Sequence, residues 1–390
     1  MKNINIISTF NQICGISTYS QFLVEALKRE KSELDIRILA EKAKNKDLIK
    51  GIVKVPIKRT WARTEPKFEF QIKENIVHVQ YEPGIFGVDK RILDSLLNLK
   101  RRKNILVITH HVIAEYEPFI TLQKALSYLA DAVIVHSQDQ YQALQKIGAY
   151  MDKTVIIPHG TYQQPEIIQD LNQFYPNLID KELIVIHGFI SADKGHHLIF
   201  EAFKRIMDKY PNLALAIVGS PHPGHDRNSK WILRQYVKTL MKFAIKNKFE
   251  DKVFFDLGFA SDARLDSWLA RAKLLLYPLE QSPQPIHSSS GNIHRAIGVG
   301  VPVIGSNTHR LKDLGDNAMI ITNNNPVELA SAISYILDNK NIFDEYKEKI
   351  QKYSKLTSWE NVAKQHLELY NKVIFNNPDS RFFGCWRMIS

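Results

Sequence analysis

Apolar runs of strand length alternate with helix-length amphipathic stretches along almost the whole chain. In the first half, these runs predict strands at Ile4–Ile7, Asp35–Leu39, Ile76–Val79, Ile105–Thr109, Ala132–His136 and Thr154–Ile157. The stretches between them predict helices, notably at Ile16–Arg29, Lys90–Leu99, Thr121–Leu129 and Asp139–Ile147. Continuous apolar strands separated by helices are typical of a parallel sheet that is covered on both faces.

A polar, proline-containing stretch from Tyr162 to Asp180 interrupts this alternation, which then resumes. The later strands are predicted at Leu183–Ile186, Leu213–Val218, Val253–Asp256, Leu274–Tyr277, Val301–Ile304 and Ala318–Ile321. The later helices are predicted at Gly195–Lys209, Lys230–Ala244, Ala263–Ala270, Gly291–Val299, Pro326–Leu337, Ile342–Tyr353 and Trp359–Phe375.

The pattern predicts an α/β protein of two tandem Rossmann-like, doubly wound domains facing a cleft. We expect an N-terminal domain at 1–165, a linker at 166–181, a second domain at 182–356, and a final helix and tail at 357–390. Ligands of such sheets bind beyond the carboxyl ends of the strands.

Composition is compatible with two folded domains and adds a charge surplus. Lys and Arg number 52 against 41 Asp and Glu, which gives a formal net charge of +11. Such a surplus favours an anionic partner, such as a membrane surface, a nucleic acid or an anionic substrate, although a solvated basic surface is the simpler explanation. Two distant cysteines, and the absence of a signal-peptide pattern or a bilayer-spanning run, lead us to expect a cytoplasmic protein that meets membranes only from their surface.

Polar residues follow several predicted strands of the first half. Gly15 lies in the loop between the first strand and the first helix, where a glycine allows a substrate to approach the backbone. Glu82 follows the strand that contains His78, and His110 and His111 end the next strand. Strand ends are where α/β enzymes place their chemistry, although a lone histidine or a tight glycine turn is commonly structural.

The second half offers candidate phosphate ligands. Lys194 lies at a helix start next to Gly195, where a cation opposes the helix dipole, so a bound anion would explain it better than a solvent-facing lysine. Ser288–Gly291 precedes a short apolar helix, a pattern that favours capping and anion binding. The preceding loop, Leu279–His287, contains two prolines and polar tips that could line a sugar pocket.

The sequence carries no zinc-type histidine or cysteine pair and no Asp-x-Asp pair near a strand end. We therefore expect no metal ion and no cofactor.

Several segments in this order resemble the retaining, nucleotide-sugar-dependent glycosyltransferases of family 4, which have the GT-B fold. They are Cys14–Tyr19, Gln80–Gly87, Thr109–His111, Ala132–Ser137, Val155–Gly160, Gly188–Gly195 and Ser289–Val303, and Trp359–Ala363 resembles the family's last helix, which crosses back to the first domain. The resemblance covers nearly the whole chain.

The resemblance implies that the second domain binds a nucleoside-diphosphate sugar and that the first binds the acceptor, a glycan or a lipid-linked sugar. Lys194, following Gly188, matches the phosphate-binding lysine, and His111 matches a histidine that contacts the donor sugar, with His110 as the alternative. The serines and glycine of the donor loop, together with its asparagine, match the backbone that holds the diphosphate or sugar: Ser289, Ser290, Gly291 and Asn292. The implied reaction proceeds with retention and without metal.

Three positions depart from the family pattern. Phe189 stands where most members have an arginine, and His287 and Arg295 stand where many have two glutamates. An arginine cannot accept hydrogen bonds from ribose hydroxyls. Either Arg295 supplies the missing phosphate cation, or other groups hold the ribose, or the pocket is altered; Glu280 could replace the first glutamate.

The expected function is sugar transfer in glycan or glycolipid biosynthesis, with the protein peripheral on the inner membrane face. The alternatives are transfer to a modified DNA base, a non-catalytic sugar-binding or partner subunit with an altered donor site, and a two-domain epimerase.

Overall fold

The computed structural model of the protein describes residues 3–43, 48–49, 51, 53–72, 76–162, 170–220, 227–258 and 262–376. The chain divides into two compact units. Unit 1 comprises Met1–Gly160, Ser282–Gly291 and Thr357–Ser390, and unit 2 comprises Thr161–Gln281 and Asn292–Leu356.

The N-terminal part of unit 1 forms strands and helices in alternation. The strands are β1 (Ile4–Ser8), β2 (Ile36–Glu41), β3 (Ile57–Trp61), β4 (Ile76–Tyr81), β5 (Ile105–His110), β6 (Val112–Ala114), β7 (Ala132–Val135) and β8 (Thr154–Ile156). The helices are α1 (Gly15–Glu30), α2 (Pro83–Phe86), α3 (Lys90–Arg101), α4 (Phe119–Leu129) and α5 (Gln138–Lys146). All strands except β6 pair in parallel in the order β3-β2-β1-β4-β5-β7-β8.

Unit 2 repeats this architecture. The strands are β9 (Glu182–His187), β10 (Leu213–Gly219), β11 (Val253–Leu257), β12 (Ala272–Tyr277), then β13 (Ile286–Ser288), which belongs to unit 1, β14 (Val303–Ser306) and β15 (Met319–Ile321). The helices are α6 (His196–Ile206), α7 (Arg227–Lys246), α8 (Asp262–Ala270), α9 (Gly291–Ile297), α10 (Pro326–Asp338) and α11 (Lys340–Leu356). The parallel sheet has the order β11-β10-β9-β12-β14-β15.

Alternate residues of the unit 2 strands enter two different cores. In β9, Ile184 and Ile186 pack into one hydrophobic cluster, whereas Leu183 and Val185 pack into the other. Side chains of successive strand residues point to opposite faces, so the sheet is covered on both sides. The predicted α/β fold with two Rossmann-like domains is confirmed.

Two distant segments complete unit 1. The last helix, α12 (Trp359–Asn376), packs against α1. β13 pairs antiparallel with β6, with His287 opposite Ile113. The predicted second domain, 182–356, includes the segment Ser282–Gly291, whereas the structure groups this segment with unit 1.

The predicted strands and helices are all present, with ends within three residues of the observed ones. The start of the predicted linker lies outside the described residues, since 163–169 are not described, and so does the tail from 377, including Cys385. The following stretch forms two short 3-10 turns whose Leu171 and Leu178 are buried in unit 2. None of the described helices is both long and apolar enough to cross a membrane.

Candidate functional site

Histidines gather where the central strands of unit 1 end. His111 directly follows β5, and its side chain is only 6% exposed. Its Nε2 lies 2.9 Å from Oε1 of Gln80 in β4, and its Nδ1 lies 3.2 Å from Nε2 of His136, which follows β7. Nδ1 of His136 lies 3.0 Å from the carbonyl oxygen of Ile157. The sheet thus links side chains from neighbouring strand ends into one chain of hydrogen bonds.

The protons of this chain follow from its partners. A carbonyl only accepts, so Nδ1–H of His136 donates to Ile157 and Nε2 of His136 accepts from Nδ1–H of His111. If both rings are neutral, Nε2 of His111 then carries a lone pair, and Gln80 must turn its amide NH₂ towards it. Amide orientation is set by such networks, so the neutral chain fixes the orientation of Gln80.

Burial keeps the His111 and His78 rings uncharged. It lowers the pKa of His111 and of His78 well below the ordinary value, and neighbouring histidines lower both further. His78 Nδ1 lies 2.7 Å from the Tyr370 hydroxyl, and its Nε2 lies 2.7 Å from Oγ1 of Thr109. His111 therefore has the character of a neutral hydrogen-bonding group rather than a cation.

The Tyr19 ring contacts His111 and is itself surrounded by other rings. The Tyr19 ring of α1 lies edge-on at 4.7 Å from His111, and it also contacts His159 at 5.0 Å and Trp359 at 5.1 Å. The Tyr19 hydroxyl is buried and has no hydrogen-bond partner among the described residues. The packing holds the histidines in fixed orientations, with one polar group unused.

The other two residues predicted to be catalytic are placed differently. His110 is fully buried, packs edge-on against Tyr81 at 5.2 Å, and neither ring nitrogen has a hydrogen-bond partner in the described part of the chain. Burial lowers its pKa to about 4. Glu82 lies at the N-cap position of α2, where burial raises its pKa while the amides of Gly84 and Ile85 lower it. Gly15 begins α1, and a side chain there would find open space.

The loop Ser282–Gly291 contacts the rest of unit 1 through the buried His287 side chain, which lies between two carboxylates. Nδ1 of His287 lies 2.7 Å from Oδ2 of Asp139, and its Nε2 lies 3.0 Å from Oε1 of Glu115. Nε2 of Gln140 donates to the carbonyl oxygens of both His111 and His287, at 3.1 and 3.3 Å. The structure thus places the predicted donor ligand His287 between two carboxylates and ties its backbone to that of His111.

The residues after His287 stay close to the histidines. A Cβ added to Gly291 would lie 3.3 Å from Nε2 of His159, so a glycine permits the close approach. The Ser289 hydroxyl is buried without a partner among the described residues, and Ser290 is half-buried beside it.

In unit 2, a half-buried lysine lies near an arginine. Lys194 lies in a 3-10 turn that ends at Gly195, a left-handed residue that begins α6. Burial lowers the pKa of Lys194, and the positive charge of Arg310 lowers it further. Arg310 Nη1 lies 3.0 Å from Oδ2 of Asp193, whereas Lys194 forms no ion pair with a described residue. The Asp193 carboxylate interacts with both cations, so the group of three keeps one positive charge in excess, which would attract an anion.

Gly188 and Asn292 adjoin each other within unit 2. Gly188 has φ +121°, and a Cβ there would lie 2.5 Å from Nδ2 of Asn292, so only glycine fits. Nδ1 of His187 lies 2.7 Å from the Tyr277 hydroxyl. Burial lowers the pKa of His187 to about 3, with a further contribution from the charge of Arg295.

The two remaining predicted donor ligands have partners of their own. Arg295 Nη2 lies 2.8 Å from Oδ1 of Asp266, and its guanidinium lies over the Tyr162 ring. Glu280 is exposed, with Oε1 3.6 Å from Nε2 of His197. The charged groups of Arg295 and Glu280 therefore both lie close to partners within unit 2.

Four of the residues described above are not among the site residues predicted from the sequence: Tyr19, Gln80, His136 and Arg310. The first three lie inside segments that carry the family resemblance, which is a usable signal. Arg310 lies in a polar loop after β14, and nothing in its local sequence points to Lys194.

Comparison with known proteins agrees with this architecture. Residues 169–357 match the family model described as Glycosyl transferases group 1. An uncharacterised glycosyltransferase of Methanocaldococcus jannaschii is 26% identical over 216 residues, which cover 52% of this chain and 52% of that protein. The match thus spans about half the length of that curated relative.

Solved structures match almost the whole chain. HepE of Anabaena, crystallised with UDP, superposes with a TM-score of 0.69 at 17% identity, covering 95% of this chain and 100% of that one. Sucrose-phosphate synthase of Thermosynechococcus elongatus gives a TM-score of 0.72 at 18% identity, covering 96% and 99%. The chain has the GT-B fold, and its residues 169–357 are similar in sequence to group 1 glycosyltransferases.

Proposed function

We propose that this protein transfers a sugar from a nucleoside-diphosphate sugar to a glycan or lipid-linked acceptor. The observation that carries the proposal is the half-buried Lys194 beside Arg310, which forms no ion pair within the described residues and lies in a stretch that matches group 1 glycosyltransferases. HepE, whose fold is shared, was crystallised with UDP and with UDP-glucose, which makes UDP the first nucleotide to test.

In this proposal, Lys194 and Arg310 together bind the donor diphosphate. Phe189 stands where most members of the resembled family have an arginine, so that cation is missing here. Arg295 forms an ion pair with Asp266. Arg310 is near enough to Lys194 for its charge to lower the lysine pKa. Diphosphate binding would relieve the repulsion between these cations and would stabilise the negative charge that develops on the leaving group.

The neutral His111 would act by position. An uncharged imidazole held by Gln80 and His136 can form a hydrogen bond with a sugar hydroxyl without requiring a counter-ion.

We propose that transfer proceeds with retention, without a metal ion or further cofactor, and at the inner membrane surface. Proton NMR of the anomeric signal of the first product tests retention, and activity in excess EDTA tests metal independence.

Thermal unfolding with a panel of nucleotides tests the donor site. A ligand at about 100 times its Kd stabilises a folded protein by about 2.7 kcal/mol, so UDP or another diphosphate should raise Tm visibly. Lys194→Ala and Arg310→Ala should each weaken binding roughly ten-fold or more, since charge-assisted hydrogen bonds contribute about 1.5–3 kcal/mol. Lys204→Ala, an exposed lysine of α6, is the matched control. A panel without any stabilising nucleotide would defeat the donor-site assignment.

A second candidate is a non-catalytic sugar-binding or partner subunit. Arg295, held by Asp266 where many family members have a glutamate, favours it. Nucleotide binding without turnover of any donor would support this alternative.

A further inference from the structure

Helix α7 carries an unusual concentration of positive charge. Its 20 residues include Arg227, Lys230, Arg234, Lys238, Lys242 and Lys246, and they contain no Asp or Glu. Arg234, Lys238, Lys242 and Lys246 are exposed, and none of these four forms an ion pair with a described residue. A protein with a net charge of +11 therefore has a large part of its surplus on one helix.

Apolar side chains stand among these cations. Trp231 is 59% exposed, Ile232 is 53% exposed, and Ile245 is 60% exposed. At 100° per residue, Trp231, Lys238, Lys242 and Ile245 fall within an arc of about 60° on the helix surface. The opposite side packs Val237, Leu240 and Ala244 into the core of unit 2. The exposed face is thus basic and apolar at once, and the helix is anchored from behind.

We propose that this exposed face of α7, formed by Trp231, Arg234, Lys238, Lys242, Ile245 and Lys246, docks on an anionic lipid surface. Charge complementarity favours an anionic partner, because acidic headgroups attract unpaired Lys and Arg. The apolar residues select a membrane over a nucleic acid, since Trp and Ile can enter the boundary between headgroups and acyl chains. The anchors lie near both ends of the helix, 14 residues or about 21 Å apart, which would hold it parallel to the surface.

This docking surface is separate from the proposed donor site and does not depend on sugar transfer. If the proposed function also holds, docking would bring the enzyme to lipid-linked acceptors. Vesicle binding and donor binding are measured independently, so either proposal can fail alone.

Co-sedimentation with vesicles tests the surface. The purified chain should bind vesicles of phosphatidylcholine mixed with phosphatidylglycerol, but not phosphatidylcholine alone, and salt should weaken the binding. Each Lys or Arg near an anionic surface raises the affinity for the membrane about five-fold. Replacing four cations together by Gln should therefore reduce vesicle binding by about 100-fold or more; these are Arg234, Lys238, Lys242 and Lys246. The matched control replaces Lys58, Lys90, Lys347 and Lys372, four exposed lysines at scattered positions, by Gln for the same change in net charge.

Quenching of tryptophan fluorescence by brominated phosphatidylglycerol tests whether Trp231 enters the bilayer. Of the five tryptophans, Trp61 and Trp268 are fully buried, Trp359 is 9% exposed, and Trp386 lies outside the described residues. In a Trp386→Phe background, quenching of tryptophan fluorescence should therefore be lost in Trp231→Ser, which also serves if the quadruple variant does not fold. Equal losses in the quadruple variant and its control would overturn the proposal, as would unchanged quenching in Trp231→Ser. Binding to duplex DNA through the same cations, without vesicle binding, would replace the lipid partner by a nucleic acid.

Discussion

Arg295 shows how a single residue can have a structural partner that its local sequence does not reveal. The arginine and Asp266 are 29 positions apart, and both side chains are about nine-tenths buried. Local periodicity locates α8 and α9, but it cannot predict which side chains pair across them. The same holds for His287, whose partners Glu115 and Asp139 lie far away in the sequence.

Arg295→Ala should destabilise the protein by about 3 kcal/mol, because it removes the arginine that pairs with the buried carboxylate of Asp266. Arg37→Ala, which opens the exposed pair with Asp35, should cost at most about 1 kcal/mol. Urea unfolding measures both. Equal small effects would show that the Arg295–Asp266 pair is not a buried structural pair.

At the scale of elements, the hydrophobic pattern located the long strands and helices well. It missed β3, in which Lys58 and Arg59 interrupt an edge strand, and the short β6 and β13. A three-residue strand carries too little periodicity to be recognised, and its existence depends on a distant partner. For this reason the sequence could suggest a donor loop but not its attachment to β6.

The junction of β8 and α12 depends on one glycine. A Cβ on Gly160 would lie 2.2 Å from Cδ2 of Trp359, which belongs to a fixed and packed ring. Gly160→Ala should therefore cost about 2 kcal/mol and disturb the packing of Tyr19 and His159.

Gly15→Ala, where the added methyl meets nothing within 4 Å, is the control. Thermal unfolding of both variants checks the expectation. A Gly160→Ala protein as stable as the Gly15→Ala protein would show that the Trp359 contact is not tight.

At the scale of the whole molecule, buried histidines link folding to pH. Burial lowers the pKa of His110, His196 and His366 to about 4 and that of His187 to about 3, whereas the unfolded chain titrates near 6.5. Below pH 6.5 these histidines bind protons in the unfolded state but stay neutral in the folded state. Stability is therefore complete above pH 6.5 and declines by about 1.4 kcal/mol per pH unit for each such histidine until the folded pKa is reached.

Unfolding free energies between pH 7.5 and 4.5 measure this slope. His110→Phe removes one titrating ring that makes no hydrogen bond within the described residues. The dependence of the unfolding free energy on pH should therefore become less steep by about 1.4 kcal/mol per pH unit, the contribution of one proton. A slope that His110→Phe leaves unchanged would mean that His110 is protonated in the folded protein.

The most direct test of the account is nucleoside-diphosphate release by the purified chain from a panel of nucleotide sugars, with and without acceptor extracts. We predict that at least one donor is consumed, and that Lys194→Ala reduces this turnover about ten-fold or more while Lys204→Ala leaves it unchanged. A panel that is neither bound nor consumed, or a Lys194→Ala protein that turns over donor at the wild-type rate, would contradict it.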